Sequence, residues 1–398
     1  MSRPRRLLLG VTGGVAAYKS AELTRLLVKA GVDVQVVMSE SATRFVTPAT
    51  FQALSGRPVF TDLWDNRIDN HMAHIDLPRG ADAILIAPAT ADIMFKLAHG
   101  VADDLLSTLC SARDCPLLVA PAMNRQMWEN PPNLRNVAQL REDGITILGP
   151  DAGDQACGET GLGRMLEPKV LFDHIQALFQ PKFLAGLKLL VTAGPTFERI
   201  DAVRGITNSS SGKMGYAIAR AAFEAGAEVT LISGPTMLPT PTGVRRIDTV
   251  SAQDMLAAVN GEITHQDIFV SVAAVADYYV LNPSEQKIKK DAHILTLELA
   301  PNPDILANVA SVANPPFCVG FAAESENLLE FAEAKRRRKK LPLLVANLVQ
   351  TAIGADDNEV ILLDDDGQHR LPRANKSDLA RSIVKHMARL YNRYHPEN

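Results

Sequence analysis

The chain has 398 residues, 46% hydrophobic and 22% charged, with a formal net charge of −4. That composition excludes a disordered or fibrous chain, and the charge excludes a general electrostatic pull on nucleic acid. The length exceeds one ordinary core and fits two domains of roughly 150–250 residues. No run of about 18 apolar residues is present to span a membrane. The basic start (Met1 to Arg6) and Leu7-Leu8-Leu9 imitate a signal peptide, but Gly10 to Gly14 ends the apolar run too early. Four cysteines, Cys110, Cys115, Cys157 and Cys318, form neither a disulfide framework nor a CxxC pair. A cytoplasmic enzyme without nucleic-acid or membrane partners is the expectation.

In chain order, Leu7–Val11 reads as a buried strand, Thr12-Gly13-Gly14 as a tight turn, and 15–30 as a helix with Ala16, Leu23, Leu26 and Leu27 on one side. Strands follow at 32–38, 83–87, 116–120 and 145–148. Helices lie near 92–98, 103–113 and 133–143. Alternating strand and helix predicts a parallel sheet covered on both faces. Residues 153–165 hold four glycines around Cys157 and read as a loop that is either floppy or a clamp on a ligand. The segment 181–186 reads as a linker, after which the pattern restarts: strand 187–192, turn 194–196, helix 213–225, strand 228–232, and a last helix from Asn375 to Tyr394. The expected architecture is α/β, two Rossmann-like three-layer domains in series, 1–180 and 187–398. The Pro/Thr-rich stretch 235–243 reads as a loop.

Several segments carry chemistry by type and placement. The Gly13-Gly14 turn opens a helix, where backbone N–H groups can meet a phosphate, although glycine there also has a purely steric explanation. His71 and His74 precede a buried strand. Pro121-Ala122-Met123-Asn124-Arg125-Gln126-Met127-Trp128 follows one, where ligands of parallel sheets bind. Together the Gly13–Lys19 turn, the His-Ile-x-Leu at His74, the Pro-x-Met-Asn-x-x-Met-Trp at 121–128 and the Ala-Cys-Gly-x-x-Gly at 156–161 resemble the flavin-containing cysteine decarboxylases, above all the phosphopantothenoylcysteine decarboxylases, over about residues 5–180. The resemblance implies a flavodoxin-like flavoprotein domain with bound FMN. FMN oxidises the substrate thiol to a thioaldehyde, CO₂ leaves, and the reduced flavin returns its electrons to the resulting enethiol. It further implies His74 as active-site base or carboxylate partner, Asn124 with Met127 at the substrate carboxylate, and Cys157, flanked by Ala156 and Gly158, as proton donor. FMN contacts are implied for Gly13, Gly14, Val15, Ser39, Thr43, Pro88, Ala89, Thr90 and Ala91. Cys110, Cys115 and Cys318 read as packing residues.

In the second half, Asn208-Ser209-Ser210-Ser211-Gly212-Lys213 precedes a helix and offers many donors to phosphate oxygens, without Walker spacing. Asp277 ends a strand. Lys287-Ile288-Lys289-Lys290 and Lys335–Lys340 are basic runs. The latter, closing an amphipathic helix, reads as structural or as a local phosphate contact rather than a nucleic-acid patch. Val-Thr-Ala-Gly-Pro-Thr at 191–196, Asn-x-Ser-Ser-Gly-Lys-Met-Gly at 208–215, Ala-Ala-Val-Ala-Asp at 273–277, Lys-Ile-Lys-Lys at 287–290, Asn-Pro-Asp-Ile at 302–305 and Gly-Phe-Ala-Ala-Glu at 320–324 are similar to the phosphopantothenate–cysteine ligases, over about residues 187–392. The two halves in this order resemble the bacterial bifunctional enzymes of coenzyme A biosynthesis. The resemblance implies that 4′-phosphopantothenate attacks the α-phosphate of CTP, and that L-cysteine opens the acyl-cytidylate. It implies Asn208 and Lys287 as catalytic residues and a CTP site of Ala273, Asp277, Lys287, Pro303, Asp304, Ile305, Leu306, Phe321, Lys335 and Lys339. Mg²⁺ comes with the triphosphate, with Asp277 as a candidate ligand. It also implies a homo-oligomer: a trimer-forming first half and a dimer-forming second half, hence a dodecamer.

Phe197, Ala202 and Pro342 depart from the family pattern, which has Arg, Pro and Asp there, and bear on the substrate-pocket walls. Three other readings compete. A flavin-dependent cysteine decarboxylase with another substrate has no use for the ligase motifs. A non-catalytic flavoprotein-fold subunit predicts loss of His74 or Cys157, and both are present. A pair of NAD-binding domains needs Gly-x-Gly-x-x-Gly after a first strand, and neither half has it.

Overall fold

The computed structural model describes residues 4–65, 67, 72–155, 158–289, 294–324, 327–348 and 357–395. It divides into two compact units, Met1–Phe179 and Gln180–Asn398.

In the first unit, strands β1 (Arg6–Val11), β2 (Asp33–Met38), β3 (Ala83–Ala89), β4 (Leu117–Pro121) and β5 (Thr146–Ile147) form one sheet in the order 2-1-3-4-5. Every pairing is parallel. The period-2 alternation of β1 explains why it is apolar throughout. Leu7 and Leu9 pack with Leu23 and Leu27 of α1 (Ala17–Lys29) and with Leu171 and Ile175 of α8 (Pro168–Phe179). Leu8 faces the other way, toward Leu106 and Leu109 of α5 (Leu105–Ser111). Between these lie α2 (Pro48–Ser55), α3 (Ala73–Asp76), α4 (Ala91–His99), α6 (Arg125–Glu129) and α7 (Pro131–Glu142). Several boundaries differ from the sequence reading, such as α5, which is shorter than 103–113, and β3, which runs on to Ala89. Helix α7 starts at Pro131, whose fixed φ suits a first helical turn, and β5 shrinks to two residues.

The glycine-rich segment is a hairpin rather than a loop: β6 (Asp151–Asp154) pairs antiparallel with β7 (Thr160–Arg164). Glycine is required by proximity. At Gly163, φ is +137° and a Cβ would stand 2.3 Å from the Met123 carbonyl oxygen, so the hairpin lies directly on the backbone leading into α6.

The second unit holds an eight-stranded sheet, β12-β11-β8-β13-β16-β17-β18-β19. Its strands are β8 (Lys188–Ala193), β11 (Glu228–Ser233), β12 (Val244–Asp248), β13 (Ile268–Ser271), β16 (Phe317–Glu324), β17 (Leu343–Leu348), β18 (Asp357–Asp364) and β19 (Gly367–Asn375). The first six in sheet order run parallel. The last two strands join antiparallel as a hairpin. One face packs Val191, Leu231, Val270 and Val345 on Ile218 and Ala222 of α9 (Lys213–Glu224) and on Ile383 and Met387 of α13 (Lys376–Tyr394). The other packs Leu190, Phe269 and Leu344 on α10 (Ala252–Glu262), α11 (Ile305–Ala310) and α12 (Leu328–Arg338). Two small hairpins, β9 (Phe197–Arg199) with β10 (Gly205–Thr207) and β14 (Tyr278–Val280) with β15 (Leu299–Pro301), stand outside this sheet. The 235–243 loop is held by Arg246 donating to the Leu238 carbonyl and by Thr236 donating to the Ser211 carbonyl.

Cys110 and Cys318 are buried in the two cores, and burial pushes each thiol up to about 12. A raised thiol pKa means the neutral form at every pH below that value. Iodoacetamide at pH 8 followed by peptide mass spectrometry should therefore leave both unlabelled until denaturant is added. Helix α9 sits so close to β8 that a Cβ on Gly215 would lie 2.5 Å from the Ala193 Cβ. Gly215→Ala should cost the second unit about 1–3 kcal/mol. Both tryptophans, Trp64 and Trp128, lie in the first unit. In urea, circular dichroism should thus show an earlier transition while tryptophan fluorescence keeps the wild-type midpoint.

Candidate active sites

At the carboxyl-terminal edge of the first sheet, the turns after β1, β3 and β4 are joined by hydrogen bonds. Buried Thr12 donates to the Pro88 carbonyl at 2.7 Å and accepts from the Thr90 N–H at 3.2 Å. Thr90 also caps α4, accepting from the Ile93 N–H, and Ala89 and Ala91 flank it at the end of β3 and the start of α4. Gly13 abuts the turn after β2, where a Cβ on it would lie 2.5 Å from Ser41 Oγ. In that turn Ser39 accepts from the Ala42 N–H, and Thr43 donates to the Glu40 carbonyl. The residues expected to contact flavin thus form one connected rim of turns.

Beside the rim is a cavity of about 480 Å³, lined among others by Gly14, Val15, Met123, Asn124, Gln155 and Met165. This size suits a small-molecule site. Asn124 caps α6: its Oδ1 accepts from the Met127 N–H at 3.0 Å and its Nδ2 donates to Gln126 Oε1 at 2.8 Å. Two residues that the sequence reading passed over fix it there. Gln126 donates to Glu159 at 2.6 Å, and Gln155 accepts from the Arg125 N–H at 3.0 Å while donating to the Leu162 carbonyl. They tie the β6–β7 hairpin to α6. The only sequence signal was their position inside the two motifs. Lys19, the last residue of the first motif, is buried. It donates to the Met165 carbonyl and to Glu167 at 2.9 Å, and so joins α1 to the end of the hairpin.

Met127 is half exposed and, like His74, is not among the residues lining this cavity. His74 lies in α3, with its Nδ1 buried and lacking a hydrogen-bond partner among the described residues. Gly158 sits at the hairpin tip with φ +82°. His71, Ala156 and Cys157 lie outside the described residues.

In the second unit, the ends of β8 and β13 are laced together. Asn208 Nδ2 donates to the Ala274 carbonyl at 2.6 Å, which also accepts from the Thr196 N–H, and the Ala274 N–H donates to the Gly194 carbonyl. The Ala273 N–H donates to Thr192 Oγ1, and the Ala276 N–H to Thr196 Oγ1. Gly234 closes the floor, since a Cβ there would fall 1.8 Å from the Pro195 carbonyl oxygen. Asn302 donates to the Ala276 carbonyl and its N–H to the Asp277 carbonyl, bringing the turn at Pro303 alongside.

Asp304 caps α11 and accepts from Lys339 Nζ at 2.7 Å. Burial alone would raise its carboxyl, but the Lys339 ammonium and the cap N–H hold it below the usual range. Lys335 donates to the Phe321 carbonyl. Asp304, Phe321, Lys335 and Lys339 are therefore neighbours, as expected. The side chains of Ile305 and Leu306, by contrast, are buried in the core, so a nucleotide can meet only their backbone. Two more cations of the basic run are paired within the chain: Arg336 with Glu333 and Asp365, and Arg337 with Glu333.

Asp277 and Lys287 are exposed, and their side chains make no hydrogen bond or ion pair among the described residues. Lys290 lies outside them. The Lys287 loop is nonetheless anchored by a pair that the sequence reading did not single out. Asp201, almost fully buried, accepts from the Val203, Arg204 and Ile288 N–H groups and from the Arg204 guanidinium, which also donates to the Ile288 carbonyl. The Arg204 guanidinium and these N–H groups hold the Asp201 carboxyl well below the usual carboxylate range. A lowered pKa makes the clamp complete above about pH 4, and it is lost only as the pH falls through the depressed value. Of the departures, Phe197 lays its ring on Gly205, a Cβ there being 2.4 Å from the ring edge. Pro342 immediately precedes β17 and lines a different cavity from the one holding Phe197. Ala202 has no evident structural consequence.

Comparison with known proteins agrees with this division. The Flavoprotein family matches residues 1–180, and the family described as DNA/pantothenate metabolism flavoprotein C-terminal domain matches 184–391. The coenzyme A biosynthesis bifunctional protein CoaBC of Vibrio cholerae is 50% identical over 386 residues, 96% of this chain and 97% of that one. Its counterparts in Escherichia coli K12 and Bacillus subtilis are 45% and 42% identical, each over 98% of both chains. The chain belongs to this CoaBC family: it is a bifunctional enzyme of coenzyme A biosynthesis, with decarboxylase and ligase activities in one polypeptide.

Proposed function

We propose that the second unit joins L-cysteine to 4′-phosphopantothenate at the expense of CTP, and that the first unit decarboxylates the product to 4′-phosphopantetheine with FMN. The observation that supports this most is that the Gly13–Lys19 turn and Asn124 in the first unit, and Asn208 with the Ala273–Asp277 segment in the second, meet at the carboxyl-terminal edge of their own sheets, where ligands of parallel sheets bind.

In the ligase, Asn208 is locked by its bond to the Ala274 carbonyl and stands at the junction of the two loops, where it positions the acyl-cytidylate. Lys287 brings an exposed, uncommitted ammonium on a clamped loop to the charge that builds on the transferring phosphate. Ala273, Asp277, the 303–306 turn, Phe321, Lys335 and Lys339 surround the nucleotide. Mg²⁺ arrives on the CTP phosphates. Among the described residues no group of three His, Cys, Asp or Glu gathers at this edge, and Asp277 is the one carboxylate offered as a protein ligand.

In the decarboxylase, the apolar cavity beside the Gly13–Val15 turn fits an FMN ring system with its phosphate on the turn N–H groups. Bound FMN supplies a two-electron acceptor that also returns the electrons. Gly13, Gly14, Val15, Ser39, Thr43, Pro88, Ala89, Thr90 and Ala91 hold it. Asn124, with Met127, orients the substrate carboxylate. His74 moves a proton in the first half of the reaction, and Cys157, between Ala156 and Gly158, donates one at the end. A thiol with the ordinary pKa of about 8.5 is mostly protonated at pH 7 and suits that role. We assign the enzyme to the cytoplasm as a homo-oligomer, a dodecamer by the trimer and dimer halves of its family.

The purified protein given 4′-phosphopantothenate, cysteine, CTP and Mg²⁺ should yield 4′-phosphopantetheine, CMP and pyrophosphate by mass spectrometry. An absence of CTP consumption refutes the ligase assignment, and arrest at phosphopantothenoylcysteine refutes the flavin half. Asn208→Ala and Lys287→Ala should each slow the ligase by roughly 100-fold or more with decarboxylation of supplied phosphopantothenoylcysteine unchanged. His74→Ala should do the reverse, by about 10²–10⁴-fold. Asp201→Asn should slow the ligase alone, because it frees the loop that carries Lys287.

A further inference from the structure

The β18–β19 hairpin and the last helix bring together three side chains that neither reaction uses. Asp364 ends β18, and Leu362, two residues before it, pairs with His369 on β19. Strand side chains alternate, so Asp364 and His369 point to the same face, the one covered by α13. From α13, His386 brings its Nε2 to 2.7 Å from Asp364 Oδ2, while His369 Nε2 lies 3.1 Å from Asp364 Oδ1. The two imidazoles are 4.8 Å apart and tilted by 53°, so they converge on the carboxylate instead of stacking. One ligand atom from each residue lies within 4.8 Å of the others.

We propose that Asp364, His369 and His386 form a binding site for a borderline transition-series dication, Zn²⁺ above all. Two imidazole nitrogens and one carboxylate oxygen are a donor set that this class of ion prefers and that Mg²⁺ does not. With metal–ligand bonds of about 2.0–2.2 Å, the ligand atoms of a tetrahedral site stand a little over 3 Å apart. The two nitrogen–oxygen spacings, one to each oxygen of Asp364, need to open by tenths of an ångström, while ligand atoms up to 4.8 Å apart must draw together by side-chain rotation. The Asp364 side chain is fully buried and that of His386 is 13% exposed, whereas the His369 side chain is 35% exposed. The site thus opens on one side, toward a cavity of about 460 Å³ that His369 and His386 also line. That leaves the fourth position to water or an exogenous ligand.

Asp364 Oδ1 also accepts from the Asp366 N–H at 2.8 Å, which leaves Oδ2 as the ligand oxygen, and the competing cation is Arg389, 3.8 Å from Oδ2. It is half exposed on a long stem and also lies 3.6 Å from Asp366, so the guanidinium keeps a carboxylate partner when an ion takes Asp364. The site is a clip that fastens the β18–β19 hairpin to α13, and binding stabilises the state in which the two are packed.

The test uses the full-length enzyme, stripped with a chelator and then dialysed against ZnCl₂ with Mg²⁺ in excess. Wild type should retain one more zinc per chain than the His369→Asn/His386→Asn double variant and than His369→Asn alone, whose side chain is exposed enough to spare the fold. Its melting temperature should rise with zinc while that of the variants does not. Ligase and decarboxylase turnover in Mg²⁺ should be unchanged in the variants, which shows them folded. X-ray absorption of the zinc form should show nitrogen and oxygen neighbours. Equal zinc in wild type and variants, zinc displaced by Mg²⁺, or sulfur in the zinc shell would each overturn the proposal, the last by moving the ion to a cysteine.

Discussion

Parallel strands end on one edge of their sheet, and that constraint determines where everything else in each unit can act. In the first unit it collects the turns after β1, β2, β3 and β4; Thr12 ties the first to the third through Pro88 and Thr90, the Ala122 N–H ties the fourth to Ala89, and Gly13 abuts Ser41 in the second. In the second it collects the loops after β8 and β13, so closely that Gly234 leaves no space for a Cβ beside Pro195 and that the Ala274 carbonyl accepts from both Thr196 and Asn208. Backbone polar groups at a sheet edge must find partners. Here they find Thr12, Thr196 and Asn208, residues within or beside the motifs, so scaffold and candidate site share one network.

Charge is arranged by the same logic. The basic run on α12 looks in the sequence like a surface for polyanions. In the fold it is divided: Arg336 and Arg337 are neutralised by Glu333 and Asp365, while Lys335 and Lys339 turn to the Phe321 carbonyl and Asp304. Lys287 is different because it has no such partner among the described residues, although its loop is pinned by Asp201 and Arg204. A cation held by its backbone and not by a counter-ion is free to answer the charge of a substrate phosphate.

How much of this was legible in the sequence follows from range. The strands of the first sheet and the first strands of the second were visible because burial on two faces makes them continuously apolar, as in Leu7–Val11 and within 187–192. The helix from Asn375 to Tyr394 was visible through its cap and its periodicity. The β6–β7 hairpin was not, since its glycines answer to Met123 and Arg125 across the fold and not to local propensity. For the same reason Gln155, Glu159, Asp201 and Arg204 passed without roles, their partners being set by tertiary contact. The side chains of Ile305 and Leu306 are buried, which the motif carried over whole did not distinguish from side-chain contact. Asp364, His369 and His386, spaced irregularly over two strands and a helix, carry no local signal at all.

With one motif set in each unit, the two half-reactions are expected to be separable onto different chains. Mixing a Lys287→Ala chain with a Cys157→Ser chain tests it most directly. Each alone should fail to convert 4′-phosphopantothenate, cysteine and CTP into 4′-phosphopantetheine. The mixture should make it after a lag, as phosphopantothenoylcysteine passes from one chain to the other. A mixture as inert as its components, with both variants folded and each active in its intact half, would contradict the account.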